Sequence, residues 1–254
     1  MYIQEAFLRR RQRMTTLYYR YAPPVFEADG SDLTADKGVK PPFKDAPSWM
    51  CSVYYYWWEF LRTHKQYMHV AKNRPEDGDQ VMRDFGDPDA FGGFEGWWRR
   101  VGRELFCEPF ERSIRWADTP DALPRSEGCV YLSVPYRCDV DHALTQLRDI
   151  LKPKMPAIKA DLGRGDARYP VFTKPVLSAL HRRLLVLRAR EQENYSPSSI
   201  GLMLKIGPQD DSAASKLARD EKVSRDLREA RYLRDYAAQG FFPVKSEQAF
   251  LERT

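Results

Sequence analysis

The chain has 254 residues, with 41 Lys+Arg against 36 Asp+Glu and 43% hydrophobic residues. These globular proportions exclude a disordered chain and a collagen, and no run of 18 apolar residues is present to span a bilayer. The aromatic share of 13% supplies enough large side chains for a core without disulfide or metal staples, and the net charge of +5 permits a polyanionic partner without demanding one.

Residues 2–21 predict a helix. Ile3, Phe7, Met14, Leu17 and Tyr21 share one face, and Arg9, Arg10, Arg11 and Arg13 crowd its middle. Pro23-Pro24 stops it, because proline lacks the amide proton and clashes with the preceding turn. The stretch 22–47, with Pro41, Pro42, Pro47, Gly30 and Gly38, predicts a long loop. Segment 1–46 is therefore expected to be an N-terminal helix on a Pro/Gly-rich tether. Such a segment suits docking into a groove, with Ile3, Phe7, Arg10 and Met14 as candidate partner-binding residues. It lacks the apolar stretch and small-residue cleavage site of a secretory signal.

Ser48 is placed to cap a helix running from about Trp49 to Lys72, with Met50, Val53, Trp57, Leu61 and Met68 in register. Tyr54, Tyr55, Tyr56, Trp58 and Phe60 make it apolar nearly all round, the mark of burial on several sides. A Gly/Pro-rich loop precedes a second helix, Trp97 to Cys107. Alternation at 112–116 and the β-branched run 129–134 predict two strands of a small antiparallel sheet. Asp139 can cap a helix from about Val140 to Lys152, with Leu144, Leu147 and Leu151 on one side. The stretch 152–170, rich in Pro and Gly, is the expected boundary between an aromatic α+β lobe (47–152) and a helical C-terminal lobe (170–254).

In that last lobe a helix begins near Pro175 and carries Leu177, Leu180, Leu184 and Leu187. Ser196-Pro197 opens a short helix to about Ile206, and Gly207-Pro208 breaks it. Asp211 or Ser212 starts a long helix to about Gln239, with Gly240 as its C-terminal stop. The expected fold is mainly α within the α+β class. The order of helices across 175–239 resembles a helix-turn-helix, although the break at 207–211 is long and so is the last helix.

The C-terminal lobe holds 15 Lys/Arg against 11 Asp/Glu, an excess of +4 that accounts for most of the net charge. On the long helix the basic residues recur every third position, each lagging the last by about 60°, so they wind around it and form no single face. Interleaved acids allow two readings: an exposed helix laced by its own ion pairs, or phosphate contact by a subset of cations that displaces counterions. The candidate nucleic-acid-binding residues are Lys216, Arg219, Lys222, Arg182, Arg183, Lys205 and, in the Gly-rich basic loop 163–168, Arg164. The expectation is a non-enzymatic protein of a reducing cytosol that binds nucleic acid, with DNA favoured. The alternative is a subunit of a larger assembly that docks through its N-terminal helix.

Other signals point to packing. The run Tyr54-Tyr55-Tyr56-Trp57-Trp58 and the pair Trp97-Trp98 could stack on bases, but they lack interleaved cations and suit a core. Asp84-Phe85-Gly86 spells a kinase triplet without the rest of the kinase signature. Asp84, Asp87 and Asp89 could surround a hard cation but suit turns better. Cys129, Cys138 and His142 lack the close Cys pair of a zinc site. No catalytic set, metal site or cofactor is expected.

Overall fold

The computed structural model describes residues 17–26, 34–38, 40–108, 135, 137–151 and 167–251. The chain divides into two compact units, Met1–Phe110 with Asp166–Thr254, and Glu111–Gly165. The described residues are mainly helical, as the periodicity predicts.

The first unit opens differently from its expectation. Tyr18–Tyr21, expected as the end of a helix, is a strand (β1) that pairs in parallel with β2, Thr34–Lys37, inside the stretch expected to be loop. Tyr18 also makes an antiparallel bridge to Glu108, and the Glu108 amide donates to the Tyr18 carbonyl at 2.7 Å. Tyr18, Tyr19 and Tyr21 are buried, so β1 earns its place by delivering rings to the interior. The expected antiparallel strands at 112–116 and 129–134 lie outside the described residues, as do Ile3, Phe7, Arg10 and Met14.

The single helix expected from Trp49 to Lys72 is three elements. A 3-10 turn, Ser48–Met50, comes first. Helix α1, Val53–Thr63, is capped by Ser52 and not Ser48: the Ser52 hydroxyl accepts from the Tyr54 amide at 3.3 Å. Helix α2, Lys65–Asn73, restarts at His64, whose Nδ1 accepts from the Tyr67 amide at 3.0 Å. Helix α3 is Gln80–Phe85. The second expected helix is α4, Phe94–Trp97, then one π-helical turn, Trp98–Gly102, then α5, Arg103–Phe106.

After Asp166 the boundaries follow the sequence signals. Helix α7 is Leu177–Glu191. Helix α8, Pro197–Met203, is capped by Ser196, which accepts from the Ser199 amide. Helix α9, Ala213–Ala237, is capped by Ser212, which accepts from the Ser215 amide. Gly240 closes α9 with φ 83°, a left-handed geometry open to glycine without a Cβ penalty. A short α10, Glu247–Leu251, ends the described chain.

The core is aromatic. Trp57 is fully buried, with ring centroids 5.0 Å from Phe106, 5.5 Å from Phe242 and 5.7 Å from Phe85, and its indole donates to the Ala237 carbonyl at 3.2 Å. Helix α1 therefore packs directly on the end of α9, and the aromatic helices share one interior with the C-terminal helices. Tyr54, Trp98 and Phe106 stack beside this centre. Each ring adds about 0.5–1.5 kcal/mol per favourable pairing beyond its buried area. The expectation that these rings pack rather than stack on bases fits their burial.

In the second unit, α6, Val140–Leu151, has its expected bounds and its expected cap: the His142 amide donates to Asp139 Oδ1 at 3.0 Å.

Candidate nucleic-acid interface

The buried positions of α9 are Arg219, Val223, Asp226, Leu227, Ala230, Leu233 and Ala237. All but Leu227 follow steps of four and three residues, which is a seam for another helix. The partner is α7. Its residues Leu177, Leu180, Leu184 and Leu187 have matching steps and are buried. Two seam positions of α9 are charged, and the ion pairs follow from that.

Asp226 sits between two arginines of α7. Arg182 grips it with a fork, Nε to Oδ2 at 2.7 Å and NH2 to Oδ1 at 3.0 Å. Arg183 Nε lies 3.9 Å from Oδ1, and Arg183 NH2 pairs with Glu229. More than two turns further along α7, Glu191 takes Arg231 at 3.1 Å and Arg234 at 2.8 Å. These pairs climb both helices together, so α7 and α9 run in the same sense where they touch. Of the bridges within α9 expected from the interleaved charges, the described residues show Arg234 to Asp235 at 2.8 Å, and the other ion pairs of α9 reach α7 or His64.

Arg219 is 2% exposed and has no carboxylate partner among the described residues. Its NH1 donates to the carbonyls of Pro208 at 2.9 Å and Asp210 at 2.6 Å, and its NH2 to Ser198 Oγ at 3.5 Å. A Cβ on Gly201 would lie 3.1 Å from the Arg219 stem, so α8 crosses α9 at a close approach made possible by glycine. Arg219 thus ties the α8–α9 turn to α9.

Of the candidate residues, then, Arg182, Arg183 and Arg219 are engaged inside the fold, and Arg164 lies outside the described residues. Lys205, Lys216 and Lys222 are exposed, and none has a carboxylate within 4.0 Å among the described residues. Lys216 and Lys222 flank Arg219 by about 60° on either side of the helix. The Lys222 stem lies 3.5 Å from where a Gly207 Cβ would be, two residues beyond Lys205. Lys205 has φ 53°, a left-handed geometry that is costly for a side chain with a Cβ. The α8–α9 turn and the first turns of α9 carry Lys205, Lys216 and Lys222 on the outside with Arg219 buried behind them, and Asp220 and Glu221 lie between Arg219 and Lys222. Asp210 and Asp211 border the set. Asp210 accepts from the Ser212 amide at 3.1 Å and the Ser215 hydroxyl at 2.6 Å, which hold its carboxyl well below the usual range.

Two exposed arginines of α9, Arg225 and Arg228, also lack an acidic partner among the described residues. A face with two lysines and a histidine was missed in the sequence. Lys65, His69 and Lys72 share the outer face of α2, and α2 contains no acid. The signal was their spacing of four and three.

The other candidates are occupied by structural roles. Asp84 accepts from Tyr169 and Arg168, both at 2.6 Å, and from Gln80 at 2.8 Å. Asp87 accepts the Asp89 amide, and Asp89 pairs with Arg62. Buried Glu59 accepts from Tyr55 at 2.7 Å and pairs with Arg188 and Arg62, which ties α1 to α7. No group of three potential metal ligands occurs among the described residues, and none of their helices is long and apolar enough to cross a membrane. Cys129 lies outside the described residues. Comparison with family models, curated proteins and solved structures finds no match for the chain.

Proposed function

We propose that this chain is a non-enzymatic nucleic-acid-binding protein that holds the phosphate backbone of duplex DNA with the α8–α9 turn. The observation that carries this reading is the set Lys205, Lys216 and Lys222 around Arg219, four cations without a carboxylate partner among the described residues. Lysines in such a set replace condensed counterions on phosphates. The strained backbone at Lys205 supports the same reading, since glycine would sit there at lower cost and would carry no charge. Sequence reading by α9 is not part of the proposal: its first turns expose Ala213, Ala214 and Leu217, which offer no side-chain hydrogen bonds to base edges.

The test is a salt titration of DNA binding with Lys216→Glu and Lys222→Glu, alone and together. Arg219 is unsuitable, because its loss releases the turn. Binding at low salt should weaken steeply as salt rises. Each lost lysine should reduce the slope of log affinity against log salt by about 0.9. Absence of binding at low salt, or a slope indifferent to both changes, overturns the reading.

The alternative, a subunit of a larger assembly, has an observation of its own, but it lies on α6 and not on the N-terminal segment.

A further inference from the structure

Helix α6 is amphipathic, yet none of its residues is buried. Val140, Leu144, Leu147 and Leu151 follow one another at steps of four, three and four, the same seam spacing that α7 and α9 use on each other. Val140 is 71% exposed and Leu144 56%, and Ile150 beside the stripe is 47% exposed. The polar side carries Arg148 against Asp141 and Asp149, with Asp139 at the cap. That balance is unsuited to an anionic lipid surface, which calls for a face rich in Lys and Arg.

We propose that α6 is a self-association helix that pairs antiparallel with α6 of a second copy of this chain. The charges flanking the stripe select the second copy and its direction. In an antiparallel pair, Leu144 lies opposite Leu147 of the second copy and Val140 opposite Leu151. Asp141 and Arg148 of the second copy then lie on the same flank between those two layers, about 3 Å apart along the axis and within side-chain reach, and the two-fold axis repeats the ion pair. A parallel pair gives neither charge a partner. Asp141 and Arg148 are both exposed, and neither has an ion pair among the described residues. Four apolar side chains per copy make a small interface, so the association is weak and concentration-dependent.

The experiment is sedimentation equilibrium of the full chain from low to high micromolar concentration, with three variants. The unmodified chain should shift from monomer to dimer. Leu144→Glu should hold it monomeric. Asp141→Arg sets like charges on one flank of the seam and should weaken the dimer roughly tenfold, and Asp141→Arg with Arg148→Asp should restore it. The charge variants change exposed residues only, so their readout does not depend on how Leu144→Glu folds. A chain monomeric at every concentration overturns the proposal. So does a dimer indifferent to Leu144→Glu, or a single reversal that the double reversal fails to rescue.

Discussion

Helix α1 buries nine of its eleven residues, and seven of those nine are Tyr, Trp, Phe or Leu. Helix α9 buries seven of twenty-five, and two of those seven are Arg219 and Asp226. The two helices meet where the Trp57 indole reaches the Ala237 carbonyl. Packing holds α1 in place under almost any solution condition. What holds α9 depends on the charge state of a few groups, because its seam closes over an ion pair. A buried pair contributes little beyond what an apolar pair would, but removing one partner leaves the other uncompensated.

The sharpest way to break the comparison is to empty one interior and then unpair the other. Trp57→Ala should cost about 3–5 kcal/mol, read as a lower denaturant midpoint by circular dichroism. Asp226→Ala should cost about 2 kcal/mol, because buried Arg183 keeps Glu229 but loses its second counter-charge. Arg182→Ala removes a half-exposed partner of the same carboxylate and should cost about 1 kcal/mol or less. If Asp226→Ala costs no more than Arg182→Ala, the seam of α9 is held by its apolar residues and the contrast with α1 disappears. Arg219→Met should cost about 1–3 kcal/mol, because it frees two carbonyls that the guanidinium now satisfies.

Acidification tests the same contrast through histidine. Burial holds His64 and His181 below the ordinary value near 6.5. Asp235 opposes this at His64 and Arg234 adds to it, while Arg188 adds to it at His181. In each case the unfolded chain takes up the proton first as pH falls. Their contribution is therefore intact above pH 6.5 and lost as pH drops below it towards the lowered folded values. The urea midpoint should fall between pH 7.5 and 5.5. His64→Asn keeps a cap acceptor for Tyr67 and should flatten part of that fall. The smallest effect has the opposite sign: Lys205→Gly relieves the left-handed backbone and should add about 0.5–1 kcal/mol, while weakening DNA binding. A variant that is both more stable and as tightly bound would remove Lys205 from the interface.

Features set by a few neighbouring residues were legible in the sequence. Ser196-Pro197, Ser212 and Gly240 mark their helix ends because caps are local chemistry, and Asp139 marks α6 for the same reason. The aromatic run of α1 announces its burial through composition alone. Features set by distant partners were not. Tyr18–Tyr21 has helical spacing with residues before it, and its strand depends on Thr34–Lys37, which sits among loop-forming residues. The break between α1 and α2 carries no Gly or Pro, only a histidine that caps. The seam of α9 was hidden because Arg219 and Asp226 occupy two of its positions. A charged residue at a core step reads as exposed until its partner on another helix is known. For the same reason the sequence could not separate the arginines that hold the fold together from the lysines left outside.

The clamp around Arg219 joins a guanidinium to backbone carbonyls and a hydroxyl, and no carboxylate among the described residues takes part in it. Substitutions that unpair Asp226, Glu229 and Glu191 loosen α7 from α9 but leave Pro208 and Asp210 tethered to the helix. The long seam should therefore open before the short crossing of α8, which persists as a remnant.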